Sequence, residues 1–212
     1  MIEINGKPLD LSTLPALSQV EQAIVQSLAA TDVVYSYQNP KELSFELALR
    51  TNILQASVAL LQSGARFESF QKSYCNPRFW YRMPNGAFQL RQGVRPSSAI
   101  DDIFYNGQLY GFECATAIIM IFYKAVRESI DQPSFDAYFN NFISIHGNMT
   151  KISSWKHAKE LTLSLVIVSI STILILLLKM PFGEEKMPSS LMTICITDTE
   201  RRLLPANRLF ST

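Results

Sequence analysis

Tyr110-Gly111-Phe112-Glu113-Cys114-Ala115-Thr116-Ala117 opens an apolar run that continues through Ile118, Ile119, Met120, Ile121, Phe122 and Tyr123. The turn signal Asn106-Gly107 comes just before it, so Cys114 is expected in the first turns of a helix ending near Ser129. A thiol at that position meets free backbone N–H groups and the positive end of the helix dipole, and both favour the thiolate. Helix N-termini and cationic neighbours can draw a cysteine pKa from about 8.5 to between roughly 3.5 and 7.5. The plainer alternative is a cysteine buried as a small hydrophobe, and spacing alone favours it. Glu113 carries a similar ambiguity. It is a candidate supporting residue that tunes the thiol or binds an amine, or else a solvated helix-surface carboxylate.

Around this stretch, 212 residues provide one or two domains with enough apolar content, 48%, to bury a core. The net charge is +1 and no basic stripe occurs, which gives nucleic-acid binding no support. Three cysteines, Cys75, Cys114 and Cys195, are too few for a disulfide framework and fit a reducing compartment. Residues 1–9 carry Glu3 and no apolar segment, so no secretory signal is expected. No Cys/His cluster has metal-ligand spacing and no Gly-rich phosphate loop is present, so neither metal nor cofactor is expected.

Residues 1–12 could form a short strand or an extended arm. Ser12-Thr13-Leu14-Pro15 looks like a helix start, with Val20, Ile24, Val25 and Leu28 on one apolar face. Asn39-Pro40 breaks the chain, and residues 41–63 read as a long amphipathic helix. Its inward set would be Phe45, Leu47, Leu49, Ile53, Leu54, Val58 and Leu61, with Gly64 as its stop. Residues 65–74, with Phe67 and Phe70, read as a second helical piece. Residues 79–91 read as a β-hairpin turning at Pro84-Asn85-Gly86. Pro96-Ser97-Ser98 opens a short helix to about Asn106 carrying Ile100, Ile103 and Phe104, and residues 133–140 could begin another.

The character of the chain then changes. Residues 161–178 are an uncharged apolar run, long enough to be a transmembrane candidate, with Lys151, Lys156 and Lys159 before it on the side expected to be cytoplasmic. One function class is therefore a single-pass membrane-anchored helical interaction protein.

A second class comes from a resemblance. Phe45-Glu46-Leu47-Ala48-Leu49-Arg50-Thr51-Asn52-Ile53, Ser63-Gly64-Ala65-Arg66-Phe67, Asn76-Pro77-Arg78-Phe79-Trp80 and Phe112-Glu113-Cys114-Ala115-Thr116-Ala117 resemble, in order, the bacterial spore-coat transglutaminases. These are the protein-glutamine gamma-glutamyltransferases of spore-forming Firmicutes. The likeness runs over residues 1–141. It implies a compact α+β fold with a papain-like (NlpC/P60-type) core, no calcium or other cofactor, and Cys114 as the nucleophile. It further implies a catalytic glutamate in a Trp-Arg-Gly-Glu-Asn segment and a histidine in a Gly-His-Gly segment, both after the cysteine. Neither segment exists in this chain, whose histidines are His146 and His157.

Shifted codons account for the gap. Triplets built from the third base of each codon and the first two of the next allow residues 179–188 to read Asn-Ala-Ile-Trp-Arg-Gly-Glu-Asn-Ala. The same offset lets residues 193–200 end in Tyr-Tyr-Gly-His-Gly, and two further family-like stretches fall at residues 145–150 and 164–176. The reading is a one-base deletion, or two-base insertion, near residues 140–143. It divides the chain into a transglutaminase-like region, 1–141, and an out-of-frame tail, 142–212, in which the family's strands are lost or scrambled. A membrane anchor is then not expected. The resemblance implies spore-coat proteins as glutamine and lysine donors, a monomer, and a place in the spore coat or mother-cell cytoplasm. A coat component that binds partners without catalysis is a third possibility.

Overall fold

The computed structural model describes residues 1–139 apart from Leu11 and Thr13, and of Cys114 and Ala115 it describes the backbone. The tail 142–212, with its apolar run 161–178, lies outside the described residues. Helices and strands are mixed along the chain. Among the described residues no helix is long and apolar enough to cross a membrane.

Ile2–Ile4 (β1) is the middle strand of a small sheet, antiparallel to Lys7–Pro8 (β2) and parallel to Tyr35–Tyr37 (β3). Asn5-Gly6 makes the two-residue turn between β1 and β2, both residues at positive φ (51° and 70°), as a type I′ hairpin requires. Gln19–Ala29 (α1) covers this sheet. It starts after the expected Ser12–Pro15 signal because Ser18 and Glu21 form a reciprocal capping box, Glu21 N–H donating to Ser18 Oγ at 3.3 Å and Ser18 N–H to the Glu21 carboxylate at 2.8 Å. The Ser12 hydroxyl is used locally, donating to Asp10 at 2.7 Å. Val25 and Leu28 point inward as the spacing predicts, whereas Val20 is exposed.

Pro40–Gln62 (α2) joins the two halves of the fold. Asn39 caps it, Oδ1 accepting from Glu42 N–H at 3.1 Å, and Gly64 at φ +83° turns the chain beyond Ser63. Its first turns place Leu43 and Leu47 in the N-terminal core with Ile2, Val25, Leu28, Tyr35 and Tyr37. Its later turns place Leu49, Ile53, Ala56 and Leu60 in the main core. Between them sits a buried ion pair: Arg50 Nε and Nη2 donate to Glu46 Oε1 at 2.8 and 2.6 Å, and the Tyr37 hydroxyl donates to Glu46 Oε2 at 2.7 Å. This pair corrects the expected inward face. Phe45, Val58 and Leu61 are 38%, 39% and 44% exposed, because the buried arc belongs partly to Glu46, Arg50 and Ser57. A face chosen on hydropathy alone assigns such polar positions to water.

Residues 65–74 do not continue as helix. Arg66–Phe67 (β4) pairs in parallel with Gly111–Phe112 (β7). Arg66 N–H donates to Tyr110 O and Glu68 N–H to Phe112 O, each at 3.1 Å. A long-range ladder has overridden the helical spacing of the aromatic residues. Trp80–Arg82 (β5) and Phe88–Leu90 (β6) form the expected hairpin. Pro96–Tyr105 (α3), Cys114–Ser129 (α4) and Gln132–Phe139 (α5) complete the described fold.

α4 packs along α2, and Ile118, Ile119, Met120, Ile121, Phe122 and Tyr123 are all buried, as expected of a helix enclosed on every side. α3 has Arg95 at its cap position with no side-chain bond. Asp136 of α5 supplies it instead, accepting from Ser97 N–H at 2.8 Å and Ser97 Oγ at 3.0 Å. Asp136→Ala is expected to lower stability by about 1 kcal/mol, the usual cost of a lost cap, read from the urea midpoint.

Candidate active site

The site is built on β7. One edge of this strand pairs with β4. On the other edge Tyr74 exchanges two backbone hydrogen bonds with Gly111, both 2.9 Å. Gly111 has no room for a side chain, since a Cβ would run into the Tyr74 ring and lie 2.9 Å from Glu68 Cγ. The strand passes through Glu113 directly into α4, so Cys114 is the first residue of that helix. The backbone therefore stands where the turn signal and the apolar run place it.

Glu113 is neither a freely solvated carboxylate nor remote from the helix start. Its Oε1 accepts from Thr116 N–H at 2.7 Å and from Thr116 Oγ1 at 2.8 Å, and its carbonyl accepts from Ala117 N–H at 3.0 Å. It caps α4. Glu113 and Thr116 occupy the two ends of a capping spacing in the reverse of the usual order, which is why sequence reading passed over the role. A carboxylate there stabilises the helix end and offsets part of the positive potential that favours a thiolate.

Below β7 lies a buried polar hub that sequence reading also missed. Asp102, on α3 and 7% exposed, accepts from Tyr110 OH at 2.5 Å, Asn76 Nδ2 at 2.8 Å and Asn106 Nδ2 at 2.6 Å. Burial, then the hydrogen bond to Asp102 and its charge, push the Tyr110 hydroxyl far above the usual phenol range, so it stays a proton donor at any ordinary pH. Asn76 Oδ1 in turn accepts from Arg78 N–H at 3.1 Å, which holds the Asn76-Pro77-Arg78 corner leading into β5. The hub thus ties α3, the corner and the strand that delivers Cys114 to one carboxylate.

Cys75 is a half-buried thiol packed on the main core, and burial pushes it up to about 11 against the opposing pull of Arg82 and Arg91. It is protonated and poorly nucleophilic at neutral pH. Cys195, His146 and His157 lie outside the described residues. Among the described residues no group of three or more His, Cys, Asp or Glu side chains could hold a metal ion. The arrangement places Cys114 at a strand-to-helix junction, next in the chain to a capping carboxylate and four residues after Tyr110, which the Asp102 hub holds.

The sequence model described as protein-glutamine gamma-glutamyltransferase matches residues 1–165. A protein of that name from Bacillus mycoides is 43% identical over 143 residues, covering 68% of this chain and 49% of the relative. Another from Halalkalibacterium halodurans is 43% identical over 141 residues, 66% of this chain and 50% of the relative. The chain spans about half the length of these curated relatives. A solved structure, a transglutaminase from Geobacillus stearothermophilus without its C-terminal extension, is 54% identical and covers 48% of this chain and 49% of its own, with a TM-score of 0.47.

Proposed function

The chain belongs to the protein-glutamine gamma-glutamyltransferase family, and we propose on that premise that residues 1–141 are the nucleophile-bearing part of such an enzyme. Cys114 is the attacking thiol and Glu113 its capping and supporting neighbour. The observation that carries this is the strand-to-helix junction, where β7 ends and Cys114 begins α4 inside the segment that the family shares.

In the reaction, the thiolate attacks the carboxamide carbon of a protein glutamine, ammonia departs with a proton, and a thioester remains. The ε-amine of a lysine on a second protein then attacks the thioester. An isopeptide bond forms and the thiol is regenerated. Water must be excluded, or hydrolysis converts the glutamine to glutamate.

This 212-residue product is impaired in the same account. The glutamate and histidine segments that the resemblance implies are absent, and positioned proton transfer is typically worth about 10²- to 10⁴-fold. In this reading the tail 142–212 is translated noise from shifted codons, although the family model's match continues to residue 165. The intact protein would complete a papain-like core from its C-terminal half. It would act as a monomer in the coat of a sporulating cell, with coat proteins as glutamine and lysine donors. Sequencing the DNA around codons 136–155 tests the frame: correction there must yield the Trp-Arg-Gly-Glu-Asn and Gly-His-Gly segments.

The nucleophile is tested by thiol chemistry and by amine incorporation. At neutral pH iodoacetamide is expected to modify Cys114 well ahead of Cys75, whose thiol burial holds protonated. Any incorporation of a labelled amine into a glutamine donor is expected to vanish in Cys114→Ala. Equal labelling by both proteins would remove Cys114 from the chemistry.

A further inference from the structure

β4 and β7 run parallel, so residues 68–73 leave β4 at the end where β7 passes into Glu113 and Cys114. They return through Tyr74 to the opposite edge of β7. The segment therefore arches across the strand end that delivers the nucleophile. It has no regular structure beyond a turn closed by Lys72 N–H on Ser69 O at 3.0 Å, and Ser69, Gln71 and Lys72 face solvent.

Its shape is imposed from outside, by the β5–β6 hairpin. Arg82 Nη2 donates to Phe70 O at 3.0 Å and Gln71 O at 2.7 Å, and Arg82 Nε donates to Ser73 O at 2.5 Å. The Ser73 hydroxyl lies 3.1 Å from Gly86 O and 3.0 Å from Phe70 O. Gly86, at φ +83° in the hairpin turn, sits so close that a Cβ there would come 2.6 Å from Phe70 O. One planar guanidinium thus collects the carbonyls of Phe70, Gln71 and Ser73, a task for which a lysine ammonium lacks the fork.

We propose that the arch 68–73 is a wall of the cleft that receives the glutamine donor, and that Arg82 is a positioning residue that holds this wall in register with Cys114. The inference rests on the transglutaminase reading above. It separates two properties: reactivity of the thiol toward a small reagent, which does not depend on the wall, and binding of a donor peptide, which does.

The test uses the full chain, Arg82→Ala and Arg82→Lys, each checked for a cooperative unfolding transition. The rate at which iodoacetamide modifies Cys114 is measured with and without a glutamine-bearing peptide. Without peptide, the three rates are expected to agree within about twofold, since the local change leaves the helix start untouched. The peptide concentration that protects Cys114 is expected to rise about tenfold in Arg82→Ala, as loss of charged hydrogen bonds loosens the wall, and by less in Arg82→Lys. Trypsin cleavage after Lys72 should rise in parallel. Protection at the wild-type concentration in Arg82→Ala overturns the wall while leaving the enzyme reading intact. A matching tenfold change in the peptide-free rate also overturns it, because the effect would then lie on the nucleophile. Failure of the peptide to protect the wild-type chain removes the donor site, and the proposal with it.

Discussion

Asp102→Ala is expected to cost about 4 kcal/mol of folding stability, because it strands several buried donors at once rather than deleting one contact. Tyr110 OH, Asn76 Nδ2 and Asn106 Nδ2 all converge on this carboxylate. The first two are buried and have no route to water. Each orphaned buried donor costs about 1–3 kcal/mol, and the small cavity left behind adds to it. Asp102→Asn keeps one acceptor oxygen but turns a donor toward the other donors, so an intermediate loss is expected. Urea unfolding at constant m-value reads both. A loss below about 1 kcal/mol in Asp102→Ala, within the range of an ordinary surface substitution, would show that the hub does not hold the strand. The consequence for the site follows from chain order. Tyr110 is the residue before β7, and freeing it loosens the strand whose end sets Cys114.

The larger effect on activity concerns the segments that the proposed frame break would remove. Joining residues 1–141 to the C-terminal half of the Bacillus mycoides relative is expected to raise labelled-amine incorporation about 10²- to 10⁴-fold over the 212-residue chain, the range that positioned proton transfer supplies. The relative is the natural donor because this chain matches only 49% of its length. The junction falls just after α5, where Asp136 still caps α3, Phe135 is fully buried, and the Phe139 ring meets Tyr123 edge-on at 5.4 Å. Those contacts tie α5 to α3 and α4, and a junction at residue 141 leaves them in place. In the chimera Cys114→Ala must abolish the gain. A chimera that folds yet gains nothing argues that the lost segments are not the missing machinery.

What could be read from the sequence depended on whether the deciding force was local. Gly64, the Pro84-Asn85-Gly86 turn and the entry of Cys114 into α4 are set by backbone conformations that particular residue types favour, and each lies where spacing places it. β4 was illegible because its partner, β7, is far away in the chain, while the nearby aromatics have helical spacing. The inward face of α2 was misread because a buried Glu46–Arg50 pair, satisfied by Tyr37, occupies part of it. Helix starts failed or succeeded on single side chains: Ser18 took the cap that Ser12 seemed to offer, and Asp136 caps α3 from another helix. At the site, the helix start at Cys114 was legible, whereas its proposed role came from the family-like blocks rather than from physics. The hub around Asp102 was not legible at all, since its members are brought together only by the fold.

We propose that Cys114 attacks glutamine carboxamides once the rest of the family core is supplied. The most direct test is mass spectrometry of the chimera incubated with a glutamine donor and no amine, quenched in acid. An adduct of the donor minus ammonia is expected on the peptide containing Cys114, absent in Cys114→Ala and discharged when an amine is added. An adduct on Cys75, or amine incorporation by the chimera carrying Cys114→Ala, would contradict it.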